Sequence, residues 1–453
     1  MTLEVVILAA GQGTRMRSAR SKVLHEVGGK AMLQHVVDAA ATLQPIRTHV
    51  VVRPGADDLK ATISGSPNWV EQAEQKGTSH AVAQALPDVD DASTLLVLYG
   101  DVPLITSETL KACADSAAQG HVALVTAKLA DPAELGRIVR DDADQIQRIV
   151  EFKDASAEER EIDEINSGIM AAPKALLVEL MGQISNDNAQ GEYYLTDVIG
   201  LAVARQIAVD SVFASSEMEV TGVNNRAQLA EVERAYQLQV AQALMAGGVT
   251  LADPSRLDVR GTVTAAQDVF IDANVVLSGD VQLGTGVHIS SGCVVNDAQL
   301  GDGVRVEPNT VIDGARVAAN CTLGPFARIR PGSDLGEGVK IGNFVETKKA
   351  TLGPGAKANH LAYLGDTTIG GGSNIGAGTI TCNYDGVNKH HTTIGDNVFV
   401  GSNSTLVAPV TLDDDSFVAA GSTITTKVDT GELAVGRGRQ RNIKGWTRPD
   451  KRD

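Results

Sequence analysis

Residues 317–341 read VAANCTLGPFARIRPGSDLGEGVKI, and an aliphatic side chain recurs in this stretch at every sixth position. The recurring residues are Val317, Leu323, Ile329, Leu335 and Ile341. Further along the chain, the same period continues at Val400, Leu406, Leu412, Val418 and Ile424. A sustained six-residue period is typical of a hexapeptide-repeat β-helix, in which each hexad supplies one short strand and one turn. We therefore expect a left-handed parallel β-helix of about nine coils, three hexads to a coil.

The first 225 residues have a different hydrophobic pattern, in which short apolar runs alternate with segments of helical spacing. Residues 5–9, 48–52, 94–98 and 122–126 are apolar runs of strand length. Residues 30–43 instead carry apolar side chains at three- and four-residue steps, which predicts a helix. Apolar strands separated by helices predict a mainly parallel, Rossmann-like α/β sheet.

A single helix is predicted between the two halves. Residues 226–246 contain neither Gly nor Pro, and Gly247-Gly248 would end the helix. We expect a domain at 1–226, a rigid linker helix at 227–247 and the repeat domain at 248–453. The alternative is that the helix is the last packing element of the first domain.

Composition limits the class of protein. The 453 residues carry a net charge of −17, which argues against general binding to nucleic acids or anionic membranes. The four cysteines form no CxxC motif, so neither a zinc knuckle nor a disulfide framework is indicated. The amino terminus lacks the features of a secretory signal, and no apolar run reaches the roughly 20 residues of a membrane span. We expect a cytoplasmic protein without membrane insertion.

The loop after the first apolar run is a candidate phosphate site. It reads LAAGQGTRM from Leu8 to Met16, and glycines at 11 and 13 would let backbone N–H groups approach phosphate oxygens. The loop matches neither the dinucleotide fingerprint nor a Walker loop. Residues 1–30 nevertheless contain more basic than acidic side chains, although the chain as a whole is acidic. A polyphosphate ligand would explain this local excess of positive charge. A tight turn with a solvated basic face is the alternative.

Several motifs together resemble a known family. They are the 8–16 loop continued by SKVL at 21–24, QAEQKGT at 72–78, YGDVPL at 99–104, NSGI at 166–169 and TGVN at 221–224. The first loop is similar to those of nucleotidyltransferases that make nucleotide sugars. Together with the repeats, the whole chain resembles the bacterial family of bifunctional N-acetylglucosamine-1-phosphate uridylyltransferase / glucosamine-1-phosphate N-acetyltransferases. The chain departs from that pattern slightly, with Gln12 where Lys is frequent and Ser79 where Gly or Ala is frequent.

The resemblance implies a uridylyl-transfer site in the first half, with UTP and N-acetylglucosamine-1-phosphate as substrates. Arg15 and Lys22 would be catalytic by stabilising the triphosphate, and Asp101 and Asn224 would bind Mg²⁺. Asp101 also follows a candidate strand at its carboxyl end, where α/β sheets bind ligands, although an Asp capping a turn is the plain alternative. The residues implied to hold the nucleotide or its sugar are Leu8, Ala9, Ala10, Gly11, Lys22, Gln72, Gly77, Thr78, Tyr99, Gly100, Asp101, Gly136, Glu151, Asn166 and Asn224.

A second site is implied on the repeats, where the segment NHLAYLGD at 359–366 contains His360. Acetylation of an amine needs a base, and a neutral histidine suits that role, although a lone histidine in a solenoid is usually an ordinary surface residue. The resemblance makes His360 the base. The residues implied to bind glucosamine-1-phosphate are Arg330, Lys348, Tyr363 and Asn374. Those implied to contact acetyl-CoA are Ala377, Asn383, Tyr384, Ser402, Ala420 and Arg437, of which Ala377 would donate its backbone N–H to the acetyl carbonyl.

The tail and the assembly add two expectations. The basic tail at 427–453 suits the phosphates of coenzyme A, although it could also be merely solubilising. The resemblance further implies a homotrimer that supplies UDP-N-acetylglucosamine for peptidoglycan, lipopolysaccharide and lipid A. Two alternatives remain: a single-activity sugar nucleotidyltransferase with a regulatory β-helix, and a non-catalytic assembly subunit. The motifs around Asp101, Asn224, Lys22 and His360 argue against the last.

Overall fold

The structure is a computed structural model that describes residues 2–449. The chain divides into two compact units, Met1–Tyr236 and Gln237–Asp453. The division falls inside one long helix, so the predicted three-segment organisation with a separate linker remains a prediction. The last four residues of the basic tail, 450–453, lie outside the described residues.

The first unit is built on a nine-stranded, mainly parallel sheet. Its strands are β1 Leu3–Leu8, β2 Arg47–Val52, β3 Asn68–Glu71, β4 Thr94–Tyr99, β5 Val122–Lys128, β6 Arg137–Arg140, β7 Ile146–Val150, β8 Glu164–Pro173 and β9 Val209–Phe213. Their order is β9-β5-β8-β4-β1-β2-β3, with β6 paired to β8 and to β7. Strand β8 runs antiparallel to both β4 and β5, and the other strands of this path run parallel. The predicted α/β sheet is confirmed.

Helices cover both faces of that sheet. They are α1 Met32–Ala41, α2 Asp57–Thr62, α3 Thr78–Ala85, α4 Ser107–Ala117, α5 Ala157–Arg160, α6 Lys174–Met181 and α7 Asp197–Ala204. The predicted helical positions from Met32 to Ala40 are the buried positions of α1. Alternate residues of β1 belong to separate cores, with Val5 and Ile7 in one and Val6 in the other, because side chains in a strand alternate between its two faces.

Helix α8, Arg226–Ala246, contains the division between the two units. In its first half, Val232 is buried with Met16 and Val27 of the first unit. In its second half, Gln237 belongs to the second unit and exchanges two hydrogen bonds with the backbone of Val259, at 2.7 and 2.8 Å. Each half of the helix therefore packs on the unit to which it belongs.

The second unit is the predicted parallel β-helix. Paired strands are 17 or 18 residues apart in sequence, as in Lys340↔Lys357 and Glu346↔Tyr363, which matches three hexads to a coil. The recurring aliphatic residues form one continuous buried core. The prediction of about nine coils was too low, because one sheet alone contains eleven stacked strands.

Two sheets contain these strands. The eleven-stranded sheet consists of Thr250–Leu251, Phe270–Ile271, His288–Ile289, Arg305–Val306, Thr322–Leu323, Lys340–Asn343, Lys357–His360, Asn374–Ile375, Phe399–Val400, Phe417–Val418 and Leu433–Ala434. The fourteen-stranded sheet consists of Leu257–Ala265, Val275–Leu283, Val294–Leu300, Val311–Asp313, Arg316–Val317, Arg328–Ile329, Asp334–Leu335, Glu346–Leu352, Tyr363–Ile369, Ile380–Cys382, Thr392–Ile394, Thr405–Val407, Val410–Leu412 and Thr423–Ile424.

Candidate active sites

The glycine loop, residues 8–16, begins at the end of β1 and packs against Lys22 at Gly13. The Ala9 N–H donates to the carbonyl of Val51 at 2.8 Å, which continues the pairing of β1 with β2. Gly13 has φ +63°, and a Cβ at this position would lie only 2.6 Å from Cβ of Lys22. A Cβ on Gly11 would meet no atom within 4 Å, so the loop leaves open space at that glycine. The loop therefore packs on one side and is accessible to a ligand on the other.

A cavity of about 330 Å³ opens at the carboxyl ends of β1 and β4. Ten of the residues implied to hold the nucleotide line it: Leu8, Ala9, Ala10, Gly11, Lys22, Gln72, Gly77, Thr78, Tyr99 and Asp101. The two strands end side by side, because Leu8 and Tyr99 are register partners. Gly100 is not part of the lining. Its N–H donates to the carbonyl of Leu8 at 3.0 Å.

Four further residues line this cavity although sequence reasoning did not assign them: Val23, Gln75, Ala81 and Glu192. Gln75 donates from Nε2 to the carbonyl of Ala10 at 2.6 Å and so joins the 72–78 segment to the glycine loop. It lies inside a motif that the sequence had singled out, so that motif was a usable signal. Glu192 lies in a distant segment with no local pattern to mark it.

Lys22, Asp101 and Asn224 form a compact charged cluster. The Lys22 ammonium contacts Oδ2 of Asp101 and lies 3.1 Å from Oδ1 of Asn224. Only 13% of the Lys22 side chain and 16% of the Asp101 side chain are exposed. The Val223 N–H donates to the Asp101 carbonyl at 2.9 Å, which holds the 221–224 segment against the end of β4.

Asp101 and Asn224, the two predicted metal ligands, thus both present a side-chain oxygen to the Lys22 ammonium. Mg²⁺ prefers oxygen ligands and takes one or two from the protein beside substrate phosphates, so this donor pair fits the ion. Within residues 2–449, no group of three or more His, Cys, Asp or Glu side chains is arranged to hold a metal.

The three residues implied to hold the sugar also come together. The Asn166 N–H donates to the carbonyl of Gly136 at 2.9 Å. A Cβ on Gly136 would lie 3.4 Å from Oε2 of Glu151, which leaves little room for any side chain there. Burial raises the pKa of the Glu151 carboxyl, although the Thr196 hydroxyl donates to it at 3.1 Å. Glu151 also lines a cleft of about 310 Å³.

Tyr99 lies between the nucleotide cavity and the sugar residues. Burial raises the pKa of its phenol, and the charges of Glu151 and Asp101 raise it further. The phenol therefore stays protonated and can donate a hydrogen bond. Gly168 leaves space for the ring, because a Cβ at Gly168 would lie 2.6 Å from Cε2 of Tyr99.

Arg15 lies apart from the nucleotide cavity. It lines one cleft of about 590 Å³ together with Asn224 and another of about 310 Å³ together with Glu151. Arg15 thus lies beside the clefts at Asn224 and Glu151, and it does not line the 330 Å³ cavity.

On the β-helix, the residues implied to bind the sugar phosphate are neighbours across successive coils. The Arg330 N–H donates to the carbonyl of Thr347, the residue before Lys348, at 2.9 Å. Lys348 belongs to the strand that pairs with the strand of Tyr363. The Arg330 side chain donates to Oε1 of Glu346 at 2.6 Å. Asn374 lies on the other sheet, where Lys357–His360 pairs with Asn374–Ile375.

His360 is exposed at the end of its strand. Its Nδ1 lies 2.8 Å from Oδ1 of Asn343, its register partner on the preceding coil. On the next coil, Ile375 is the register partner of Ala358. The same register, extended by two residues, aligns His360 with Ala377. Within residues 2–449, the Ala377 N–H donates to no acceptor, so it is free to bind an oxyanion.

The residues implied to contact acetyl-CoA follow one edge of the β-helix. The carbonyl of Ala377 accepts from the Asn403 N–H at 2.7 Å, and the carbonyl of Ser402 accepts from the Gly421 N–H at 2.7 Å. The Arg437 guanidinium contacts the carbonyl of Ala420. These contacts connect Ala377, Ser402, Ala420 and Arg437 on consecutive coils.

An inserted loop interrupts that edge. Strands on its two sides pair at a 25-residue step, as in Ile380↔Thr405, against the usual 17 or 18. The loop, residues 383–391, contains Asn383, whose amide contacts Asp366, and Tyr384, which is largely exposed. A hydrogen bond from His390 at 2.7 Å and two backbone N–H donors lower the pKa of Asp385. These contacts give the loop a defined turn structure.

Comparisons with known proteins agree with both units. Residues 5–163 match the model of the MobA-like NTP transferase domain. Residues 259–352 match the GMPPB C-terminal domain, and residues 391–426 match the hexapeptide repeat of succinyl-transferase.

Relatives cover the chain from end to end. The bifunctional protein GlmU of Stutzerimonas stutzeri is 55% identical over 453 residues, which is 100% of both chains. That of Marinobacter nauticus is 54% identical over 450 residues, which is 99% of both chains. The chain belongs to the bifunctional GlmU family. A solved structure titled "The Crystal Structure of UDP-glucose pyrophosphorylase complexed with UDP-glucose" has 16% identity and a TM-score of 0.45, and it covers 52% of this chain and 98% of that chain. In this GlmU-family chain, the nucleotidyltransferase-like unit precedes the hexapeptide-repeat unit.

Proposed function

We propose that the chain makes UDP-N-acetylglucosamine in two steps at two separate sites. The β-helix site acetylates glucosamine-1-phosphate with acetyl-CoA, and the α/β site then transfers uridylyl from UTP to the product. Family membership supports the pair of activities. The observation that carries the proposal is that each unit contains chemically suited groups of its own: the Lys22–Asp101–Asn224 cluster in one and His360 with the free Ala377 N–H in the other.

Uridylyl transfer needs alignment and charge neutralisation more than acid–base chemistry. A phosphate oxygen of N-acetylglucosamine-1-phosphate attacks the α-phosphorus of UTP, and the bond from that phosphorus to the bridging oxygen breaks to release pyrophosphate. No proton has to move, because the attacking phosphate is already ionised. Lys22 and Arg15 stabilise the negative charge, and the 330 Å³ cavity holds the uridine nucleotide.

The sugar would lie against Gly136, Glu151 and Asn166. These three residues lie close to one another, and Glu151 is near Tyr99, whose protonated phenol can donate to the substrate. Asp101 and Asn224 would hold Mg²⁺, which supplies neutralisation of phosphate charge and a fixed geometry for the triphosphate. Lys22 contacts both ligand oxygens, so it would turn from them toward the phosphates when the ion binds.

Acetyl transfer needs a base. The neutral amine of glucosamine-1-phosphate attacks the thioester carbonyl, the C–N bond forms, and the amine proton passes to Nε2 of His360. The C–S bond then breaks, and the thiolate of coenzyme A takes the proton from the imidazolium. The free Ala377 N–H supports a role as donor to the oxyanion of the intermediate. Arg330 and Lys348 would pair with the sugar phosphate.

We further propose a homotrimer with acetyl-transfer sites between subunits. A ridge of three exposed apolar side chains, Phe326, Phe344 and Leu361, follows one corner of the β-helix. All three have φ between +50° and +58°, and the two phenylalanine rings stack at 5.6 Å. Bulky residues rarely adopt this backbone conformation, and exposed apolar side chains are costly in water. A second copy that covers the ridge next to His360 would explain why large apolar side chains stand at these exposed positions.

The cellular setting is part of the proposal. We propose that the enzyme acts in the cytoplasm and supplies precursor for peptidoglycan, lipopolysaccharide and lipid A. Among the described helices, none combines the length and the apolar character that a membrane crossing requires.

Two assays on the purified full-length chain test the two activities. With glucosamine-1-phosphate and acetyl-CoA, a thiol reagent should detect release of coenzyme A. With N-acetylglucosamine-1-phosphate, UTP and Mg²⁺, pyrophosphate should be released, and glucose-1-phosphate in place of the amino sugar serves as the specificity control. Pyrophosphate release without thiol release would favour a single-activity nucleotidyltransferase with a regulatory β-helix. Absence of both would overturn the proposal.

A further inference from the structure

The histidine proposed as the acetyl-transfer base has one side-chain hydrogen-bond partner, Asn343. Nδ1 of His360 lies 2.8 Å from Oδ1 of Asn343. The backbone joins the same two coils, because the Leu361 N–H donates to the Asn343 carbonyl at 3.0 Å. Within residues 2–449, no other side chain forms a hydrogen bond or ion pair with the His360 ring.

A neutral imidazole has one N–H and one nitrogen lone pair, and the partner of one ring nitrogen decides which is which. An amide oxygen has no hydrogen to give. The ring nitrogen that faces it must therefore be the protonated one. With Nδ1 donating to Asn343, the hydrogen is held on Nδ1 and the lone pair is left on Nε2, where the amine proton has to arrive.

We propose that Asn343 is a positioning residue that selects the reactive tautomer of His360. The inference rests on the acetyl-transfer activity proposed above. When Nε2 takes the amine proton, the ring becomes an imidazolium and Asn343 still accepts from Nδ1–H. When the thiolate of coenzyme A removes the proton from Nε2, the same tautomer is restored for the next cycle.

It also matters for this role that the Asn343 side chain carries no charge. A carboxylate in its place would stabilise the imidazolium and raise the pKa of the base, so that less of the enzyme would be ready to accept a proton at neutral pH. The other charged or titratable side chains on the neighbouring strands are Lys340, Glu346, Lys348 and Lys349 on the preceding coil and Lys357, Tyr363 and Asp366 on the coil of His360. None of them bonds to the ring, so the amide is its direct partner.

The amide orientation is the decisive point. In the reverse orientation, Nδ2 of Asn343 would donate to Nδ1 of His360, and Nε2 would carry the hydrogen. The enzyme would then begin each cycle without a base at Nε2. The two orientations predict opposite tautomers in the resting enzyme.

The tautomer can be measured directly in the full-length wild-type protein. Selective ¹⁵N labelling of histidine, with the His360→Ala variant used for assignment, identifies which ring nitrogen is protonated near pH 8. We expect a protonated Nδ1 and an unprotonated Nε2. A protonated Nε2 would overturn the proposal without depending on the folding of any Asn343 variant.

Two substitutions add a kinetic test. We expect Asn343→Ala to lower kcat of acetyl transfer about 10- to 100-fold, with little change in KM for either substrate and none in uridylyl transfer. Asn343→Asp should keep the tautomer, recover most of kcat at high pH and move the acidic limb of the pH profile upward. Asn296→Ala, which removes an amide bonded to Asp313 on a distant coil, is the matched control.

The outcomes separate this inference from the proposed function. If wild-type enzyme acetylates glucosamine-1-phosphate but Asn343→Ala and Asn343→Asp keep the wild-type kcat and pH profile, the role of Asn343 is excluded and the activity stands. If wild-type enzyme releases no coenzyme A, the proposed function fails together with this inference. Equal losses in both variants, with no shift of the pH profile, would indicate a merely structural contact.

Discussion

The two candidate sites are built in opposite ways. In the α/β unit, segments far apart in sequence converge on a cavity at the ends of β1 and β4, and Lys22 and Asp101 are mostly buried. On the β-helix, the functional positions follow one another along coils, and His360 is exposed. The first site is enclosed within one unit, whereas the second is an open edge.

This difference indicates how each fold creates a reaction centre. An α/β sheet brings loops together at the carboxyl ends of its strands, so a single unit can enclose a nucleotide. A β-helix repeats one register and presents side chains in rows, so enclosure has to come from an inserted loop or from another copy of the chain. We therefore expect the nucleotidyl site to work without assembly and the acetyl site to depend on it.

The largest expected effect is the loss of acetyl transfer in a His360 variant. His360→Ala should lower acetyl transfer about 100- to 10,000-fold, because the base is lost, and should leave uridylyl transfer unchanged. Release of coenzyme A and release of pyrophosphate are measured on the same preparation. His288→Ala, several coils away, is the control. Equal losses in both assays would show that the sites are not independent.

Asp101→Asn should give the converse result. We expect uridylyl transfer to fall at least about 100-fold, because the carboxylate that holds both the Lys22 ammonium and the proposed Mg²⁺ is neutralised. Acetyl transfer should stay at the wild-type rate. Asp115→Asn, which alters an exposed pair with Lys111, serves as the control. Normal pyrophosphate release by Asp101→Asn would place the metal elsewhere.

Phe344→Glu tests whether the open edge needs a second copy. A charge on the ridge should prevent close packing, so light scattering should report a smaller species and acetyl transfer should fall at least about tenfold. Uridylyl transfer should persist. Phe213→Glu, a substitution at an exposed phenylalanine of the first unit, is the control. A trimer that forms normally with full acetyl transfer would remove the ridge from the interface.

Gly77→Ala tests the close packing of Gly77 against Tyr193 at the 330 Å³ cavity. Gly77 has φ +110°, and an added Cβ would lie 2.5 Å from the carbonyl oxygen of Tyr193. We expect a rise of about tenfold in KM for UTP and a loss of about 1–3 kcal/mol in the free energy of unfolding. Gly55→Ala, at φ +75° with no atom within 4 Å, isolates backbone strain from the clash. Identical results for both variants would refute the role of the Tyr193 contact.

The smallest expected effect concerns pH. Burial raises the pKa of Glu151, so folding favours its protonated form, and the penalty for ionisation is absent below the unfolded pKa of about 4.3 and grows as pH rises above it. Glu151→Gln should therefore raise Tm at pH 7.5 but not at pH 4, while raising KM for N-acetylglucosamine-1-phosphate. The exposed Glu158→Gln is the control. A lower Tm at pH 7.5 would contradict this account of Glu151.

Most of the fold could be predicted because it depends on short-range regularities. The six-residue period of Val317 to Ile341 reports a local strand and turn, and the apolar run before Gly11 reports a buried strand with a loop at its end. The number of coils was underestimated because the strands of the β-helix extend from Thr250 to Ala434, beyond the two runs that revealed the period. Periodicity recognises a repeat best where neighbouring repeats are alike.

The sites were less predictable from local pattern. Glu192 reaches the nucleotide cavity and Asn343 reaches His360 only because of tertiary pairing, and neither residue stands in a segment that marks it. Arg15 lies near Lys22 in sequence but lines different clefts, and the chain turns between them at Arg17, which has φ +48°. Proximity in sequence was a poor guide where the chain changes direction.

A mixing experiment tests most directly whether one chain contains two independent reaction centres. Asp101→Asn and His360→Ala proteins are each supplied with glucosamine-1-phosphate, acetyl-CoA, UTP and Mg²⁺, first separately and then together, and UDP-N-acetylglucosamine is quantified. The account predicts little product from either protein alone and substantial product from the mixture, because one protein makes the acetylated intermediate and the other consumes it. A mixture as inactive as its separate components would contradict the account.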